Sequence, residues 1–290
     1  MAQSAFAVDW LEALGALRAE VTRVTTLLRS LHDTAPMAVG AWDLGEVAMH
    51  LSQGWVAVPG LARRDLSAVY EVLPTRVKPA GASLIADVWD LGSLTADAVQ
   101  ADGERNLGVL ADRIDERAAA FFRHCEGRSG SERQPWMVEG TSVELCTLIC
   151  HLLNETVVHG GDIARAAGRP WPIDASHAVM VIQGFFLPVL AELPPRALVD
   201  QDRAAGVRAT YDVRLRGGGR AYFVFDDGRV TLEEPGSRRV DCHVLAEPVA
   251  MLNVMWGRQS QWKAIAKGQL LAWGRKPWLG PRLRLMLRNP

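Results

Sequence analysis

Three side chains carry the main chemical signal of this sequence: Glu155 and His159 in HLLNETVVHGGDIARAAG, and His50 in AWDLGEVAMHL. On a helix, residues four apart share a face with Cβ atoms about 5–6 Å apart, close enough to grip one metal ion. His50 is a candidate third ligand from a facing helix, completing a two-histidine, one-carboxylate set with open positions. A divalent ion so held polarises a bound thiol or water and makes a nucleophile at neutral pH. The same residues also have plainer readings, a surface Glu–His pair and a hydrogen-bonded core histidine. Their neighbours Leu152, Leu153, Val157, Val158 and Ile163 are apolar, however, and an unpaired carboxylate is costly to bury there.

Further polar groups cluster around this set. His151 lies one turn before Glu155, as a partner of the ligands, an alternative ligand or an ordinary helix histidine. Asp162 and Arg165 follow by about one turn and could orient His159, bind a carboxylated substrate or form a helix-surface salt bridge. Trp42, Trp55, Trp89 and Trp136 lie near the set or its loops, as core or interface anchors. Cys146 and Cys150 share a helix face, but no basic neighbour or C-x-x-C spacing activates a thiol, so they read as core.

The elements that must position these groups are helices. Apolar residues recur at helical spacing from Phe6 to Leu31, predicting a long amphipathic helix. After Pro36, Asp43 stands three residues before Glu46, a capping box that starts a helix with His50 in its second turn. Pro74, Pro79 and Gly81 mark 73–91 as a connecting loop, followed by a third helix from Thr95 to Cys125. In TSVE, Thr141 and Glu144 form a second capping-box pattern for a fourth helix, stopped by Gly168 and Pro170. Another helix follows Asp174. Near Pro194 the pattern turns to alternation, with strands in VRATYDVRLRG, GRAYFVFDDG, RVTLEEP and RVDCHVLAE. Helical character then returns, and the chain closes on an apolar helix with basic residues.

The fold class is therefore α+β, with a four-helix bundle over 1–195 and an antiparallel sheet with helices over 196–290. The formal net charge of −1 gives no electrostatic footprint for nucleic acid or anionic membrane, so the expected partner is a small molecule. No basic leader or membrane-spanning apolar run is apparent, and the cysteines form no disulfide framework, so a cytoplasmic location with reduced thiols is expected. The basic stretch GRKPWLGPRLRLMLRNP reads as a solvated helix face, with a membrane-surface helix or an anion-recognising arginine set as alternatives. The oligomeric state is not written in the sequence.

Two motifs together resemble a known family. AWDLGEVAMHL has a Trp before a capped helix ending in a histidine, and ETVVHGGDIARAAGRPW has Glu, three residues, His, Gly and then Asp-Ile-Ala-Arg. Both resemble the DinB-like, mycothiol-dependent maleylpyruvate isomerase group over nearly the whole chain. The resemblance implies a metal, zinc, on His50, Glu155 and His159, with mycothiol as co-substrate and an electrophilic metabolite as its partner. It further implies that the C-terminal segment is a sterol-carrier-protein-like domain, which holds an apolar ligand or walls the active site. Asn154 and the arginine-free run Cys150–Leu153 depart from the isomerase pattern and lean toward thiol exchange, such as ergothioneine replaced by mycothiol on a conjugate. The reading from another class is a non-catalytic lipid or apolar-ligand carrier.

Overall fold

The computed structural model of the protein describes residues 7–72, 90–138 and 140–288. The chain divides into a helical unit, Val8–Ile173, and a second unit that includes Asp174–Pro290. In the first, α1 (Trp10–Arg29) and α2 (Leu44–Ala62) each pack on both α5 (Leu107–Cys125) and α6 (Leu145–Ala166). Trp55 of α2 meets Phe121 and Phe122 of α5 in the core, at ring-centroid distances of 6.3 and 6.4 Å. Asp9 caps α1, and the Asp43–Glu46 capping box starts α2 as its spacing predicts. Before α2, β1 (Met37–Val39) and β2 (Trp42–Asp43) form a short antiparallel hairpin. The chain leaves α6 at Gly168, whose φ of +65° is the left-handed turn that glycine takes without strain.

Several elements differ from the sequence expectations. A short helix, α3 (Leu66–Val72), follows α2. The predicted loop falls largely on 73–89, with Trp89, outside the described residues. The single helix predicted from Thr95 to Cys125 is two, α4 (Asp90–Ala101) and α5, because the Asn106 side chain caps a new helix by accepting from Gly108 and Val109. Thr141 and Glu144 do not form a capping box. Ser142–Glu144 is strand β4, paired with β3 (Arg133–Pro135), and the carbonyls of Glu132 and Gly130 accept the first two N–H groups of α6. Strand pairing and loop carbonyls do the work expected of a side-chain cap.

The second unit begins at Asp174, ahead of the 195/196 boundary drawn from composition. Its first helices, α7 (Ala175–Val181) and α8 (Leu187–Glu192), are joined by a π-helical turn, Ile182–Phe186. Pro188 would collide with the carbonyl four residues back in a regular helix, and the wider turn before it relieves that clash. The run Ala175–Glu192 is long and apolar enough to cross a membrane by length and composition, contrary to the sequence expectation. It nevertheless contacts elements of its own unit: α7 touches α9 (Pro248–Met255), and α8 touches β7 (Val230–Glu233). Helical periodicity marked the element type here, not its domain.

The five-stranded sheet has the order β7-β6-β5-β8-β9, with β5 (Arg208–Leu215), β6 (Arg220–Asp226), β8 (Cys242–Ala246) and β9 (Leu270–Trp273). It is mixed and not purely antiparallel: after β7 the chain returns to the far side of β5, and β8 runs parallel to it. Strand β9 follows the segment around QWKAIAKG that reads as helical, and the sequence pattern does not mark it. One face, with Tyr211, Val213, Phe223, Phe225 and Val244, builds the core with Leu283 and Met286 of α10 (Gly280–Met286). The other face buries Asp212 completely. Its carboxylate accepts from Arg214 at 2.6 Å, Arg220 at 2.6 Å and His243 Nδ1 at 2.7 Å, and Trp273 stacks on His243.

Burial pushes the Asp212 pKa up, but the bonds from Arg220, Arg214 and His243 outweigh it and hold the carboxyl well below its usual range. A depressed folded-state pKa adds stability above the unfolded value, about 4, and that stability is lost as pH falls toward the folded value. Asp212→Asn should therefore lower the unfolding midpoint at pH 7, and the gap to wild type should narrow as pH drops below about 4. Circular-dichroism melts between pH 2.5 and 7 read this directly, and a constant gap would contradict it.

Candidate metal centre

Helix α6 is buried on almost every side from Leu145 to Val158, so any ionisable group it carries must find its partners inside the protein. Glu155 and His159 share one face of it, and α2 packs against that face carrying His50. His50 Nε2 lies 3.2 Å and His159 Nε2 3.4 Å from the same oxygen, Glu155 Oε2. The two imidazole rings meet edge to face with centroids 4.8 Å apart. One ligand atom from each of the three residues falls within 4.8 Å of the others.

A second layer of contacts fixes these groups. His159 Nδ1 lies 3.2 Å from Asp162 Oδ2, and the other carboxylate oxygen of Asp162 accepts from Arg165 at 3.0 Å. Arg165 also donates to the carbonyl of Ala38 in β1. Asn154 Nδ2 donates to Glu155 Oε1 at 3.1 Å, and His151 Nε2 stands 3.5 Å from that oxygen. Trp42 lies against His50 with ring centroids 5.3 Å apart, and Trp136 lies 6.4 Å from His151. Trp55 belongs to the core instead.

These contacts set the protonation of the site. Burial pushes the Glu155 carboxyl up, but bonds with His151, His159 and His50 outweigh it and hold its pKa well below the usual range. Burial would lower His159, yet the bonds to Asp162 and Glu155 carry it up to about 9. His50 is held below its ordinary value, because burial outweighs its bond to Glu155. The donor set fits a divalent ion. A carboxylate oxygen and two Nε2 atoms converge, and Asp162 engages the Nδ1–H of His159 so that Nε2 is the atom left to coordinate.

The structure thus brings His50, Glu155 and His159 together, with Asp162, Arg165 and His151 around them. Sequence spacing missed the Asn154 contact. Adjacent residues on a helix project about 100° apart, so nothing in the pattern directs the Asn154 amide to Glu155. Cys146 and Cys150 sit behind this face; a hydrogen bond between the thiols and burial push the Cys150 thiol well above its ordinary pKa. It is poorly suited to act as a thiolate.

No family profile matches the chain, and no curated protein sequence does so either. Solved structures do. The mycothiol-dependent maleylpyruvate isomerase aligns with 91% of this chain and 93% of its own, at 14% identity and a TM-score of 0.50. A histidine-to-alanine mutant of it aligns over the same shares, at 13% identity and a TM-score of 0.51. This chain shares the fold of that isomerase. A partial likeness to the UbiJ-SCP2 ubiquinone synthesis protein covers 34% of this chain and 80% of that one, at 19% identity and a TM-score of 0.27.

In the ion-free protein, His159 should remain protonated at pH 7.5 and titrate near pH 9. Asp162→Asn, which removes a bond that favours the imidazolium, should move that titration downward. Side-chain NMR on chelator-treated protein measures both, and an unchanged titration in the variant would remove Asp162 from this role.

Proposed function

We propose that the protein is a mycothiol-using metalloenzyme that adds, exchanges or transfers a low-molecular-weight thiol on a small electrophilic metabolite. The convergence of His50 Nε2 and His159 Nε2 on one oxygen of Glu155 carries this reading. The fold shared with a mycothiol-dependent isomerase supports it. In this reading the helical unit is a DinB-like four-helix bundle, the C-terminal unit is sterol-carrier-like, and the protein works in the cytoplasm among reduced thiols.

His50, Glu155 and His159 would hold the ion, zinc. When bound, it would lower the pKa of a thiol and supply its thiolate at neutral pH. Asp162 fixes the ring of His159 through Nδ1, and Arg165 ties Asp162 to the Ala38 carbonyl, so the imidazole reaches the site already oriented. Asn154 holds the second oxygen of Glu155 and keeps the first turned toward the histidines. Trp42 lies against one side of the His50 ring. Thiolate addition to an electrophilic carbon is shared by cis–trans isomerisation and by transfer. The run Cys150–Asn154 of α6 carries no arginine for a carboxylated substrate, which favours thiol exchange on a conjugate, such as ergothioneine replaced by mycothiol, over isomerisation.

Protein purified without chelator should contain about one divalent metal per chain, and His50→Ala and Glu155→Ala should lose it. Wild type should also consume an electrophile only when mycothiol is present. Metal-free wild type carrying bound lipid would overturn this reading in favour of an apolar-ligand carrier.

A further inference from the structure

The helix that carries Glu155 and His159 has two consecutive glycines, Gly160 and Gly161, directly after the histidine. A glycine inside a helix costs about 1 kcal/mol relative to alanine and loosens the backbone, so a pair beside a ligand calls for a reason. Trp171 supplies it. After Gly168 reverses the chain, Trp171 lies back along α6, and its indole Nε1 donates to the Val157 carbonyl at 3.0 Å. A Cβ on Gly160 would fall within 2.9 Å of three atoms of the indole, and one on Gly161 would stand 3.3 Å from a fourth. The ring is therefore seated on bare backbone.

The ring is also held from outside the helix. The Arg23 guanidinium of α1 lies 3.7 Å from its centroid, and Glu20 lies 3.3 Å from Arg23. A cation over an indole face attracts it by about 0.5–2 kcal/mol. Val157 lies within the turn from Glu155 to His159 and Gly160 directly follows it, so the clamp acts on the backbone that sets the spacing of the two α6 donors.

We infer that Trp171 is a positioning residue for the metal centre: seated on Gly160 and Gly161 and bonded to the Val157 carbonyl, it fixes the helical turn that carries Glu155 and His159. This rests on the metal-centre reading. Gly160 and Gly161 leave room for the indole, and the indole restores the rigidity that the glycines remove.

Cobalt(II) titration of chelator-stripped protein tests the inference, with visible absorption as the readout and melting curves in parallel. Trp171→Phe keeps a ring but loses the N–H; Gly160→Ala keeps the tryptophan but displaces it. Each should weaken cobalt binding about tenfold, as loss of other groups that orient metal ligands does, and should alter the absorption bands of the fully loaded site. A role confined to stability would lower the melting temperature and leave the loaded spectrum and affinity unchanged, which would overturn the inference while leaving the metal centre intact. Wild-type protein that binds no cobalt would instead remove the metal centre, and the positioning role with it.

Discussion

A carboxylate in the middle of a buried helix is the constraint around which the helical unit is organised. Glu155 has apolar neighbours on α6, and leaving its charge uncompensated there would cost several kcal/mol. The protein meets the charge with donors. His50 comes from α2, His159 and His151 from one turn along α6 in either direction, and Asn154 from the adjacent position. These groups must arrive together, because withdrawing one leaves the others around an undercompensated anion. The packing of α2 on α6 is thus under electrostatic as well as apolar control.

That arrangement has a chemical side. Two imidazole Nε2 atoms on one carboxylate oxygen can share protons or share a cation. The bonds to Asp162 and Glu155 raise the His159 pKa and so favour a proton on its ring. A proton and a metal ion would compete for the same lone pair, and Asp162, which stabilises the charged ring, also fixes its orientation. Arg165 limits the charge of Asp162 by bonding to it from the helix surface.

Much of this was legible in the sequence where the signal is local. The amphipathic spacing of α1, the Asp43–Glu46 box and the Gly168 stop all act within a few residues, and the structure contains each one. Glu155 and His159 share a face by helical geometry alone, and the capped helix of His50 identified the element that packs against them. Competing or distant partners were hidden. The Asn106 cap splits a stretch that reads as one helix, and β3 captures the segment that resembles a capping box. The parallel pairing of β8 with β5 and the return of Trp171 onto α6 depend on residues far apart in the chain, which local periodicity does not report. The helix following Asp174 had a readable type but not a readable allegiance, since domain membership is decided by what an element touches.

The hairpin of β1 and β2 is small, yet it reaches both helices that bear the histidines. Trp42 lies on the His50 ring, Asp43 begins α2, and Ala38 receives Arg165 from α6. It works as a gauge block between two struts: lengthening or shortening it by one residue would shift one helix origin against the other and put two sets of donors out of register at once. Grafting this site onto another scaffold therefore means moving three segments together, the two helices and the hairpin. In a survey of natural variants, length changes should be rarer between Met37 and Asp43 than an ordinary surface turn would suggest.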